Sequence, residues 1–193
     1  LQALAMVSKY LRRAVEDPGD DEARSNMLLA SAYAGMGFGN AGVHLCHGMS
    51  YPVSGMAASQ FPLGRSYFPP GYPDDHPLVP HGVSVVLTAP AVFRFTAEAC
   101  PDRHFTAAAN LLEPNTQLPG KSWSAEFAQL EFDPERPGDL LAKWLIRLMQ
   151  ELKLPSGLAA LGFTEEDLPA LAEGTLPQHR VTKLSPRPAS EED

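Results

Sequence analysis

The chain has 193 residues, with 15 Lys+Arg against 23 Asp+Glu, giving a formal net charge of −8 and a pI near 5.2. That length suits one domain with a real hydrophobic core, and the acidic balance excludes a phosphate-tracking nucleic-acid binder, which needs a basic face. Only two cysteines, Cys46 and Cys100, exclude a disulfide framework and a four-thiolate zinc site, and no stretch reaches the ~18 apolar residues of a membrane span.

In chain order, Leu4, Val7, Leu11 and Val15 recur at three- and four-residue spacing, which predicts an amphipathic helix from the first residues onward. No capping residue opens it, and Ser190-Glu191-Glu192-Asp193 has the chemistry of a helix start, so chain is expected to continue beyond both ends. Asp17-Pro18-Gly19-Asp20 is a turn, followed by a helix from about Glu22 to Met36. The run Gly37-Phe38-Gly39-Asn40-Ala41-Gly42 predicts a helix break with close backbone packing. Val43, Cys46, Met49 and Val53 then resume helical spacing. Six prolines between Phe61 and Pro80 place an irregular excursion over about residues 57–80. Val83–Ala99 reads as a buried helix interrupted near Pro90, and Pro114, Pro119, Pro134 and Pro137 mark a second excursion over 113–139. Leu141, Trp144, Leu145, Leu148 and Leu152 make a clean amphipathic helix, and Thr164-Glu165-Glu166-Asp167 resembles a capping box opening a short helix through Ala172. With no β alternation and no internal repeat, the predicted fold class is all-α, one helical domain over 1–193.

Gly37 to Gly42 also fits G-x-G-x-x-G, but a dinucleotide loop needs a strand before it and an acidic residue about 20 positions on. A helical run precedes it here, and no Asp or Glu occurs between Glu22 and Asp74. Histidine is more informative. His44 and His47 share a helical face, and His81 follows directly after Pro80; neutral imidazole is the commonest metal ligand. His76, His104 and His179 read as ordinary structural or surface histidines, and both cysteines as structural thiols. Two histidines do not close a metal shell, since even a catalytic zinc takes three protein ligands.

At His47-Gly48-Met49-Ser50-Tyr51-Pro52 and Pro80-His81-Gly82, the sequence resembles the iron-type alcohol dehydrogenases. Gly35 to Gly42 is similar to the same family's signature, and the strings GFGNAGVHLCHGMSYP, DHPLVPHG, LPALAEGTLPQHRVTKLSP and SEED resemble one mitochondrial branch of it. The resemblance implies an N-terminal α/β nucleotide-binding domain, absent here, joined to a C-terminal helical domain. It implies a metal between the two, held by one Asp and three His. His47 and His81 match the last two ligands, while the Asp and first His belong upstream of Leu1. Tyr51 stands where many relatives carry a histidine near the nicotinamide. Gln60–Gly71 looks inserted, and 113–139 departs from the family's helical pattern.

By the same resemblance, the whole enzyme oxidises 4-hydroxybutyrate while reducing 2-oxoglutarate. A divalent cation (iron, with zinc the alternative) acts as Lewis acid, and the hydride passes by an NAD-type nicotinamide bound mainly by the N-terminal domain. Such hydroxy and oxo acids call for a cationic clamp, for which Arg180, Lys183 and Arg187 are candidates. The expected partners are these small acids and the N-terminal domain of the same protein, with no nucleic acid or membrane; association with further copies is left open. The resemblance implies a mitochondrial location. Two alternatives remain at this stage: a non-catalytic helical interaction domain with structural histidines, and a metal hydrolase built on His44-x-x-His47. The second lacks the glutamate base of the helical H-E-x-x-H arrangement.

Overall fold

α1 (Gln2–Glu16) and α2 (Asp21–Ala41) form an antiparallel hairpin whose turn is held by its own aspartates. Asp17 accepts from the Gly19 N–H at 2.8 Å, and Asp20 caps α2 by accepting from the Ala23 N–H at 2.9 Å. Arg13 reaches over from α1 to Asp20 at 2.8 Å and Glu22 at 2.7 Å. The computed structural model describes residues 1–59, 67–73, 75, 77–112, 117–118, 121–122 and 136–191.

The remaining elements are α3 (Leu45–Ser59), α4 (His81–Ala97), α5 (Pro101–Leu112), α6 (Pro137–Glu151), α7 (Leu168–Thr175) and α8 (His179–Thr182). Two 3-10 turns, Leu158–Leu161 and Glu165–Asp167, lie between α6 and α7. Among the described residues the only strands are β1 (Gln117–Leu118) and β2 (Lys121–Ser122), a single antiparallel pair within the second expected excursion. No helix among the described residues is long and apolar enough to cross a membrane.

α4 is the axis of the fold, packed between α3 and α6. On one side, Val53 and Ala57 of α3 meet Leu87 of α4, Met149 of α6 and Leu161, Phe163 and Leu171. On the other, Leu140, Leu141, Trp144 and Leu148 of α6 pack with Ala108 and Leu111 of α5, and the Leu4, Val7 and Leu11 stripe of α1 covers them. The stripes expected at Leu4 and Leu141 therefore face each other. An ion pair from buried Arg12 to exposed Glu151, at 2.5 Å, ties α1 to the end of α6. At the α4–α6 crossing only glycine fits: a Cβ on Gly138 would lie 2.6 Å from both the Phe93 carbonyl oxygen and the Ala97 Cβ.

Three local expectations need correction. α2 does not stop at Met36 but runs to Ala41, and Gly37 and Gly39 sit inside it with open space where a Cβ would be. The break falls at Gly42, whose φ of +79° suits glycine. α4 runs uninterrupted through Pro90, so a proline ring was absorbed where a break was expected. α3 extends to Ser59, slightly past the expected start of the first excursion. The capping chemistry at Thr164 is present, with the Asp167 carboxylate accepting from the Thr164 N–H at 2.8 Å, although the helix it opens continues to Thr175.

Glycine placement gives opposite expectations at two sites. Gly37→Ala should raise stability by about 0.5–1 kcal/mol, because an open helix interior favours alanine. Gly138→Ala should lower it by about 1–3 kcal/mol through overpacking; urea unfolding of both variants reads the two signs.

The α1–α2 hairpin should also be acid-sensitive. Arg13 holds the Asp20 and Glu22 carboxyls below their ordinary range, helped at Asp20 by the Ala23 N–H. Groups depressed in the fold contribute stability above their unfolded pKa and lose it as pH falls through the folded value. Thermal midpoints should therefore drop below about pH 4, with a shallower drop in Asp20→Ala.

Candidate metal centre

α3 carries His47 and Tyr51 one turn apart, and α4 begins at His81 directly after Pro80. Packing of α3 on α4 brings the His47 and His81 rings to 5.3 Å between centroids, tilted at 58°. Two imidazoles bound to one divalent cation at about 2.1 Å with a tetrahedral angle have ring centroids about 5 Å apart. Neither ring has a hydrogen bond among the described residues, so both keep nitrogens for a ligand, and imidazole suits iron and zinc alike. Burial and the neighbouring His81 push the His47 pKa down, favouring the neutral, ligating form.

Each histidine is braced by a serine three residues on. The Ser50 hydroxyl donates to the His47 carbonyl and the Ser84 hydroxyl to the His81 carbonyl, both at 2.8 Å, and both serines are buried. Sequence reading passed over this pair; its signal is the repeated His-x-x-Ser spacing.

Tyr51 stacks on His81 at 6.4 Å and 26°. The guanidinium of Arg180, on α8, lies over the far side of the site at 5.2 Å from the Tyr51 ring centroid. Of the three basic candidates, Arg180 alone is brought here. Arg187 lies elsewhere, paired with Glu98 at 2.7 Å and seated on the Phe95 ring at 4.1 Å, toward the opposite end of α4. Lys183 is exposed just past α8.

α8 owes its position to a proline. Pro52 lies inside α3 and has no N–H, which frees the carbonyl of Gly48 four residues earlier. The Gln178 side-chain amide donates to that carbonyl at 3.0 Å. Buried Val181 packs where Gly48 has no side chain, and a Cβ on Gly174 would lie 2.7 Å from the Pro52 Cβ. Gln178, Gly48 and Gly174 were not singled out from sequence; a helical proline with glycine at i−4 was the available signal.

The other histidines sort differently. His44 is half-buried, with its Nδ1 buried and unpartnered, and burial together with His104 and His47 pushes its pKa down. Among the described residues no three His, Cys, Asp or Glu groups form a metal-capable cluster, so His44 does not complete a site with His47 and His81. His104 is buried, its ring 2.9 Å from the Thr96 hydroxyl and 3.0 Å from the Cys100 carbonyl oxygen. His179 is exposed, and His76 lies outside the described residues. Cys46 is buried, its thiol pushed up to about 12 by burial, which suits a structural thiol.

These helices and the histidine pair define a known class: the chain belongs to the iron-containing alcohol dehydrogenase family. The family described as "Fe-containing alcohol dehydrogenase family, C-terminal" matches residues 1–61 and 78–193. The chain is 51% identical over its whole length to "Hydroxyacid-oxoacid transhydrogenase, mitochondrial" of Bos taurus and equally to the Homo sapiens protein of that name, covering 37% of each. It is 45% identical to the "Probable hydroxyacid-oxoacid transhydrogenase, mitochondrial" of Dictyostelium discoideum, covering 32% of it. Its fold matches an alcohol dehydrogenase from Oenococcus oeni at a TM-score of 0.74 and 23% identity, with 100% of this chain and 41% of that one aligned. A 1,3-propanediol oxidoreductase matches at 0.72 and 25% identity, over 99% of this chain and 41% of that one. The chain thus spans less than half the length of these relatives, as the helical, C-terminal part.

His104→Ala should cost about 1–3 kcal/mol, because it leaves the Thr96 hydroxyl without its ring partner in the core. Denaturant unfolding checks the loss, and the far-UV spectrum should stay helical.

Proposed function

We propose that this chain is the helical, metal-holding part of a two-domain oxidoreductase that transfers hydride from 4-hydroxybutyrate to 2-oxoglutarate. The observation that carries the reading is the His47–His81 pair, two ligating rings from two helices placed as one cation requires. Its support is the close identity to proteins named hydroxyacid-oxoacid transhydrogenase, whose names place them in the mitochondrion, a location we extend to this protein.

In this reading His47 and His81 supply two of the metal's ligands, and one Asp and one His from a preceding part of the polypeptide supply the rest. A divalent cation held there by His47 and His81, iron or zinc, would supply Lewis-acid polarisation of the substrate's hydroxyl or carbonyl oxygen. An NAD-type nicotinamide, held mainly by an N-terminal domain, would supply the hydride-transfer chemistry. The chain's own contribution is placement. The serine braces fix both histidine backbones, and burial together with the neighbouring His81 lowers the His47 pKa, favouring its neutral imidazole. Tyr51, beside His81, forms the wall nearest the cofactor. The carboxylates of the substrates meet the basic edge of the site. Oxidation removes a hydride and the hydroxyl proton from 4-hydroxybutyrate, and reduction returns the same pair to 2-oxoglutarate, so the cycle needs no added nucleotide.

In the full-length protein, His47→Ala and His81→Ala should each strip the metal and reduce turnover to the blank, since each removes one of only four ligands. His104→Ala should retain metal and turnover. Metal analysis of the purified variants, together with the transhydrogenase assay, reads both, and retained metal and activity in His81→Ala would falsify the assignment.

Residues 1–193 alone should be inactive, bind Fe²⁺ or Zn²⁺ weakly and aggregate. Two histidines are short of a closed shell, and Leu28, Leu29, Met36 and Phe38 of α2 are exposed. Turnover of 4-hydroxybutyrate with 2-oxoglutarate by the metal-loaded fragment, above a metal-only blank, would overturn this expectation.

A further inference from the structure

We propose that Arg180 is the specificity residue of this site: it binds the carboxylate that distinguishes a hydroxy acid from a neutral alcohol, and Tyr51 positions it. The inference rests on the functional reading above and assigns one residue to what that reading leaves as a basic edge.

The geometry is a row of rings ending in a cation. The His47 and His81 rings lie 5.3 Å apart, tilted at 58°, Tyr51 stacks along His81 at 6.4 Å, and the Arg180 guanidinium lies over Tyr51 at 5.2 Å. A small acid bound with its oxygen at the histidines and its length along this row would turn its carboxylate toward Arg180. A guanidinium held over a ring keeps N–H groups that a carboxylate can accept bidentately. Among the described residues Arg180 has neither an ion pair nor a side-chain hydrogen bond, so its charge is uncommitted. Arg187 is committed to Glu98 and Phe95.

The base of Arg180 is also fixed. Next to it in sequence, Val181 is buried against Gly48, and Gln178 donates to the Gly48 carbonyl at 3.0 Å, so the short α8 is fastened to the helix that carries His47 and Tyr51. Holding a long, flexible side chain in place before binding reduces the entropy lost on binding. An exposed cation fixed over an aromatic ring, beside a pair of metal-ligating rings, is the chemistry of an anion anchor.

The test uses full-length, metal-loaded protein and two substrates of matched chain length, 4-hydroxybutyrate and 1-butanol. Arg180→Leu should lower kcat/KM for the acid about 10- to 100-fold, mostly through KM, while leaving that for the alcohol within about twofold. Arg180→Lys should recover part of the acid preference, because charge without the planar fork binds carboxylate less well. Calorimetric titration of 2-oxoglutarate should weaken by a similar factor in Arg180→Leu, with metal content unchanged. Equal losses on acid and alcohol, or loss of acid preference in Lys183→Leu or Arg187→Leu instead, would overturn the assignment while leaving the metal site and reaction intact. Wild-type protein that binds metal through His47 and His81 yet turns over no hydroxy acid would overturn the functional reading and this inference with it.

Discussion

The carbonyl of Gly48 organises the site. A proline inside a helix leaves the carbonyl four residues earlier without its N–H donor, and a half-buried polar atom left so costs about 1–3 kcal/mol. The Gln178 amide fills that vacancy, and the contact reaches across 130 residues of sequence. Around it the two surfaces fit because Gly48 and Gly174 present no side chain to Val181 and Pro52. A defect in α3 thereby becomes the docking point for α7 and α8. One face of α3 presents His47 and Tyr51 toward His81, while its defect fixes the segment carrying Arg180. The histidine pair and the arginine over Tyr51 share one foundation.

What was legible in the sequence was what depends on local periodicity. The stripes through Leu4 and through Leu141 appear as helices and pack on one another, and the Thr164 capping chemistry is in place. The resemblance carried by His47 and His81 selected the two histidines that meet. The misjudged features were those in which tertiary packing overrides local preference. Pro90 is buried within α4, so the burial of its neighbours outweighs the lost backbone bond. Gly37 and Gly39 are helix breakers by propensity, yet the helix absorbs both and ends only at Gly42, where φ turns positive. The basic cluster could not be sorted in advance, because what separates Arg180 from Arg187 is contact with Tyr51 on one side and with Glu98, 89 residues away, on the other.

Burial is divided unequally along the chain. α4 and α6 are enclosed and give the domain its rigidity, whereas the second half of α2 is exposed on nearly every side despite its apolar Met36 and Phe38. The same segment carries no charged side chain from Ser25 to Gly42. That part of the helix is held within this chain from its first half, through the Asp20 cap, the Arg13 ion pairs and the packing of Ala23, Met27 and Ala30 on α1.

His47 and His81 also differ from their surroundings in how they are joined. They bracket a stretch of which residues 62–77 fall outside the match to the family, yet their separation is set by α3 packing on α4. Cross-links sit close to the helices themselves: the Ser54 hydroxyl donates to the Val79 carbonyl at 3.3 Å, and the Leu78 N–H to the Tyr67 carbonyl at 3.1 Å. The entropy of closing a connection grows only logarithmically with its length, by about 0.6 kcal/mol per doubling. Evolution can therefore lengthen or trim the segment between His47 and His81 at little thermodynamic penalty, without retuning the spacing of the two rings.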